Sequence, residues 1–164
     1  MSMIGNLVAI SPQELETFVA APDSLPAFLY PDDSVGDPAN HLDIDKAWHA
    51  IHYLLNGKTW EGEAPLFHTI LGGEEIGEDV GYGPSRFLTP SQVKAIASEL
   101  IGLTPDAVGA RFEPTAMDAA EIYPQTWTRD GKDGWEYVRH YYEQLREFYL
   151  KASERGDAVL LYVN

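Results

Sequence analysis

The chain has 164 residues, 45% of them hydrophobic and 23% charged, which is the composition of one ordinary globular domain spanning 1–164. It has no cysteine, which excludes disulfides, thiolate metal sites and Cys nucleophiles. Eleven Lys and Arg against 26 Asp and Glu give a formal charge of −15, which argues against nucleic acid and anionic membranes as partners and leaves two roles for it, solubility first and attraction of a basic protein second.

Residues 1–10 are apolar and rich in β-formers (Ile4, Leu7, Val8, Ile10) and predict a buried strand. Ser11-Pro12-Gln13-Glu14 then opens a helix, with Ser11 as N-cap, Pro12 in the first turn and Glu14 closing a capping box. Leu15, Phe18 and Val19 are its expected inner face. Residues 22–40, with four prolines and several acids, read as a connector with a helical turn at 25–29. Ile44, Trp48, Ile51 and Leu55 recur at helical spacing and predict a helix over 42–56, ended by Gly57 in a left-handed cap.

Residues 58–88 are glycine- and acid-rich, with five glycines between 72 and 84. Thr89-Pro90-Ser91-Gln92 repeats the cap-plus-proline signature, and Val93, Ile96, Ala97, Leu100 and Ile101 follow on one face, with Gly102 expected as the cap. Short helices are expected after Thr104 and around 115–120, a loop or short strand over 121–134, and a long helix over 135–155 ended by Gly156. Ala158–Val163 reads as a second buried strand. The whole predicts a helix-dominated α+β fold in which the two terminal strands pair in one small sheet.

Asp45, His49 and His52 fall on one flank of the 42–56 helix, beside the apolar stripe. Histidines three apart can share a metal, but no His-Glu-x-x-His pattern or third ligand accompanies them, so no metal and no cofactor is assigned. The structural expectation is His52 hydrogen-bonded at the core edge and His49 in solvent; a ligand-binding or catalytic His52 stays open beside it. Gly81-Tyr82-Gly83-Pro84-Ser85-Arg86 lacks the third glycine and the preceding buried strand of a dinucleotide fingerprint. Arg86 is expected either to pair with an acid of the 74–79 cluster or to hold an anionic ligand.

Several stretches together resemble the YfbM-like family of bacterial proteins, a domain of unknown function. They are Met1-Ser2-Met3-Ile4-Gly5, Leu42-Asp43-Ile44-Asp45-Lys46 with Trp48 and His52, Ile70-Leu71-Gly72-Gly73, residues 81–89, and Glu121-Ile122-Tyr123-Pro124. The resemblance covers the whole chain and implies a bacterial, cytoplasmic, single-domain α+β protein, with no catalytic residue to carry over. Two functional expectations remain. One is a non-enzymatic binding domain, such as an acidic inhibitor or immunity-type partner of a basic protein. The other is a small-molecule anion-binding protein or enzyme in which His52 and Arg86 meet within walls of Trp48, Tyr82, Tyr123 and Trp127.

Overall fold

A computed structural model describes residues 1–79 and 81–164; Val80, within the glycine-rich 72–84 stretch, lies outside the described residues. Five antiparallel strands form one sheet in the order β2-β1-β5-β4-β3. They are β1 (Gly5–Ile10), β2 (His41–Asp43), β3 (Glu74–Ile76), β4 (Ser85–Leu88) and β5 (Ala158–Val163). The terminal strands are the central pair, in register from Gly5 opposite Val163 to Ile10 opposite Ala158.

Every residue of β1 is buried, because helices cover both faces of the sheet. Leu7, Ala9, Val159 and Leu161 face the larger layer, made of α3 (Trp48–Asn56), α4 (Pro90–Gly102) and α8 (Lys132–Arg155). Val8, Ile10, Leu160 and Tyr162 face a smaller layer, made of α1 (Pro12–Ala20) and α2 (Leu25–Leu29). Strands buried on both sides read as continuous apolar runs rather than alternating ones, which explains AVLLYV at the C-terminus. The short helices α5 (Pro105–Gly109), α6 (Pro114–Ala119) and α7 (Trp127–Asp130) close the larger layer beside α8.

Both capping boxes form. Ser11 Oγ accepts from the Glu14 amide while Glu14 Oε1 accepts from the Ser11 amide, and Thr89 and Gln92 repeat the arrangement. Gly57 and Gly156 end α3 and α8 in the left-handed conformation.

Several expectations are corrected. The 42–56 helix begins later: Leu42 and Asp43 pair with Leu7 and Asn6 as β2, and Asp45, at φ 47°, breaks the chain before a 3-10 turn at Asp45–Ala47 leads into α3. Val19 is 51% exposed, since it lies one step past the buried Leu15–Phe18 row of an outer helix. Ile101 is 61% exposed; eight residues carry it ~80° around the helix from Val93. The helix itself runs through Gly102, and Leu103 is the cap residue. The β3–β4 hairpin had no expectation. No helix among the described residues is long and apolar enough to cross a membrane.

Candidate functional site

The two helical histidines are structural pins. His49 is 1% exposed, not solvated as its helix-flank position suggests. Its Nε2 lies 2.9 Å from the Thr59 carbonyl, and its Nδ1 accepts the Tyr123 amide at 2.9 Å. A carbonyl can only accept and an amide N–H can only donate, so the ring is neutral and protonated on Nε2. His52, fully buried, repeats the scheme: Nε2 donates to the Glu61 carbonyl at 3.1 Å, and Nδ1 accepts from Asn56 Nδ2 at 3.3 Å. Burial is the main cause holding both below the usual imidazole range, with His52 pushed to about 4. Each ring has both nitrogens engaged, so neither offers a lone pair to a metal or a substrate. Together they tie the 59–61 loop to α3.

Trp48 and Tyr123 stack with ring centroids 5.8 Å apart, and His49 lies between Trp48 (5.0 Å) and the half-exposed Trp60 (4.2 Å). The polar atoms of this stack are also engaged. Trp48 Nε1 donates to the Met3 carbonyl at 3.0 Å, and the Met3 amide donates to the Tyr123 hydroxyl at 3.0 Å. Trp127 is buried, with Nε1 donating to the Ile122 carbonyl at 2.8 Å. Tyr82 stands 40% exposed in the loop before β4.

Arg86 sits on β4, and Nη1 donates to the carbonyls of Ile70 (3.0 Å) and Gly72 (2.6 Å). Glu75 is its register partner on β3, but no described carboxylate comes within 4.0 Å. The expected ion pair with the 74–79 cluster therefore does not form; the arginine braces the 70–72 turn instead. Arg86 and Trp48 line one small recess against the sheet, and His52, Tyr82, Tyr123 and Trp127 do not line it. The six candidate residues thus share no single cleft.

Trp127 instead lines a cleft of about 330 Å³ between the starts of α7 and α8 and the Asp45–Lys46 turn. Tyr137 is its central polar group, donating to Asp45 Oδ2 at 2.8 Å and accepting the Lys46 amide at 3.0 Å. Burial raises the Tyr137 phenol first, and the Asp45 carboxylate adds to it, so the phenol keeps its proton. Sequence reasoning missed this pair, since 92 residues separate its members and neither is unusual in its own helix.

The most uneven property of the molecule is where its charge lies. Residues 1–45 contain eight Asp and Glu and no Lys or Arg; residues 59–93 contain six Asp and Glu and one Lys or Arg, Arg86. The first stretch and residues 74–79 build the α1–α2 layer and both edge strands, while residues 59–71 pack against α3. Glu14, Glu16, Asp23, Asp32, Asp33 and Asp37 are exposed on or beside that layer, and Glu74, Glu75, Glu78 and Asp79 on the β3 side. Gly77 brings the β3–β4 turn beside Pro22 and Leu25, which joins the two acidic sets. Tyr30 (40%) and Val35 (76%) are exposed among them, as is Val19.

A family model described as a domain of unknown function (DUF1877) matches residues 1–162. Among solved structures, the chain is similar to YfbM from Escherichia coli, a protein of unknown function. The two share 21% identity with a TM-score of 0.73, over 98% of this chain and 99% of that one. At that identity the likeness shows the fold. No curated protein matches.

Proposed function

For this chain, which belongs to the family described as a domain of unknown function (DUF1877), we propose a non-enzymatic binding role in which the acidic α1–α2 layer receives a basic protein. The observation that carries the reading is the charge segregation: ten exposed acids within residues 14–37 and 74–79 stand on or beside this layer and the β3 edge, against Arg86 as the one Lys or Arg in residues 1–45 and 74–93. Charge serving solubility alone has no need to be one-sided. Like charges kept together weaken the compact state by self-repulsion, while a complementary surface turns the same field into steering and specificity. The exposed Tyr30, Val35 and Val19 supply apolar contact inside the acidic rim, a mixture that suits a protein interface. An inhibitor- or immunity-type partner of a basic protein is the concrete form of the proposal. A second reading, a small-anion site, keeps Arg86 and loses His52, whose ring nitrogens are both engaged.

The test is capture of partners from a lysate of the source organism at low and moderate salt, with wild type beside two charge-matched variants. One reverses Asp32, Asp33 and Asp37 to Lys; the other reverses Glu113, Glu121 and Glu136, exposed acids of the opposite layer. The reading expects a basic protein lost only with the first variant, and it fails if neither variant changes what is retained.

A further inference from the structure

Pro124, Trp127 and the Tyr137 ring wall the cleft of about 330 Å³ beside the Asp45–Lys46 turn, and charged groups of both signs stand around them. Some of those groups have partners. Arg129 Nε donates to Asp130 Oδ1 at 2.8 Å, and the Tyr137 hydroxyl is used twice, by Asp45 Oδ2 and by the Lys46 amide. The Lys46 ammonium and the Asp133 carboxylate line the same cleft, yet neither comes within 4.0 Å of an opposite charge among the described residues. Tyr137 takes only one of the two Asp45 oxygens. Water reaches these groups, so leaving them unpaired costs little. What they provide is a pair of opposite charges held apart across an open space.

The backbone around that space is strained. Asp45 has φ 47°, and Gln125, between the cleft residues Pro124 and Thr126, has φ 64°. Such left-handed residues cost about 1 kcal/mol or more each, and they gather at ligand sites. Asn would serve the turn at 45 as well as Asp, since it adopts the same region and its amide oxygen accepts from a phenol. The turn and Tyr137 therefore need an acceptor at 45, and neither needs a charge.

A ligand of one sign is poorly met here. Lys46 repels a simple cation; Asp45 and Asp133, with the −15 of the whole chain, repel a simple anion. No group of three acids or histidines among the described residues is placed to hold a metal ion. A molecule carrying both signs answers the unpaired groups together, and the volume lies at the lower end for small-molecule sites. We propose that the cleft binds a free α-amino acid with an apolar side chain. Its carboxylate lies on Lys46, its ammonium on Asp45 and Asp133, and its side chain against Pro124, Trp127 and the Tyr137 ring. The site belongs to the α7–α8 side of the molecule, apart from the acidic α1–α2 layer, and does not depend on a basic partner there.

The test titrates the full chain by calorimetry with L-leucine and L-phenylalanine. Each is set beside its amine (isopentylamine, phenethylamine) and its acid (isocaproate, hydrocinnamate). Saturable binding of at least one amino acid is expected, weakened about tenfold or more when either charged group is missing, the scale of one charged hydrogen bond. Asp45→Asn, which keeps the turn, and Lys46→Met, which keeps the aliphatic stem, are expected to weaken the amino acid by a similar factor. Amide shift changes on binding are expected to centre on residues 45–46 and 124–137. Binding of neither amino acid, an amine or acid held as tightly as its parent, unaltered affinity in either variant, or shift changes centred elsewhere would overturn the proposal. Should a variant fail to fold, the ligand series and the shift map on wild type decide.

Discussion

His49 Nδ1 accepts the backbone amide of Tyr123 at 2.9 Å, joining α3 to a segment 74 residues away. That bond needs a bare Nδ1, as the bond from Asn56 to His52 does. Both rings must therefore stay neutral for the 59–61 loop and the 121–125 segment to remain docked on α3.

This fixes a pH dependence. Burial lowers the folded-state value of both histidines, His52 to about 4, whereas the unfolded chain takes up the protons near the ordinary value of 6.5. Above that value the histidines add no pH dependence. As pH falls below it the unfolded state binds protons that the folded state refuses, so stability declines down to about pH 4. Urea midpoints of wild type and His52→Gln between pH 7 and 4.5 check this. The glutamine amide can still donate to the Glu61 carbonyl but cannot titrate, so the acid-side decline is expected to be shallower; equal slopes would contradict it.

Tyr149 is fully buried, and its hydroxyl donates to the Thr69 carbonyl at 2.6 Å. Tyr149→Phe leaves that carbonyl without its partner inside the core. The expected loss is ~1–2 kcal/mol, read as a lower urea midpoint with an unchanged m-value.

Gly5 is where β1 passes under α3. A Cβ there meets the Trp48 Cβ at 2.9 Å and Ile44 Cγ1 at 3.1 Å, neither of them the free end of a flexible chain. Gly5→Ala is expected to cost ~1–3 kcal/mol, as overpacking does in a filled core. Gly102→Ala meets nothing within 4 Å and sits in a helix, so it should stabilise by up to ~1 kcal/mol. Thermal melts of the two variants should move in opposite directions.

The parts legible in the sequence are those set by neighbours in the chain. Ser11 and Thr89 announce their helices because an N-cap, a proline and a Glu or Gln fall within four residues. β1 and β5 were legible because burial on both faces leaves unbroken apolar runs. The parts that were not legible depend on distant partners. β3 and β4 are three and four residues long and polar enough to read as loop; pairing of β4 with β5, and of β3 with β4, makes them strands. The helix ending at Asn56 reads as beginning at Leu42 because the apolar spacing continues through Ile44; β2's pairing with β1 makes it begin later. His49 reads as solvated in the sequence because both of its partners, Thr59 and Tyr123, come from outside the helix. The expected recess of six residues failed for a related reason. Side chains that look available in sequence, His52 and Trp127 above all, are consumed by backbone groups that the fold brings to them. The acidic layer shows in the sequence only as a total of −15; the fold places the helices of residues 12–29, from a stretch without a single Lys or Arg, over one face of the sheet.

The most direct test of the acidic-layer account is the affinity of a partner isolated on wild type for the two charge-matched variants, measured by titration calorimetry at low and moderate salt. The account predicts a loss of at least tenfold on reversing Asp32, Asp33 and Asp37, with a reduced salt dependence, and little change on reversing Glu113, Glu121 and Glu136. Equal affinity for wild type and the first variant, or an equal loss in both variants, would contradict it.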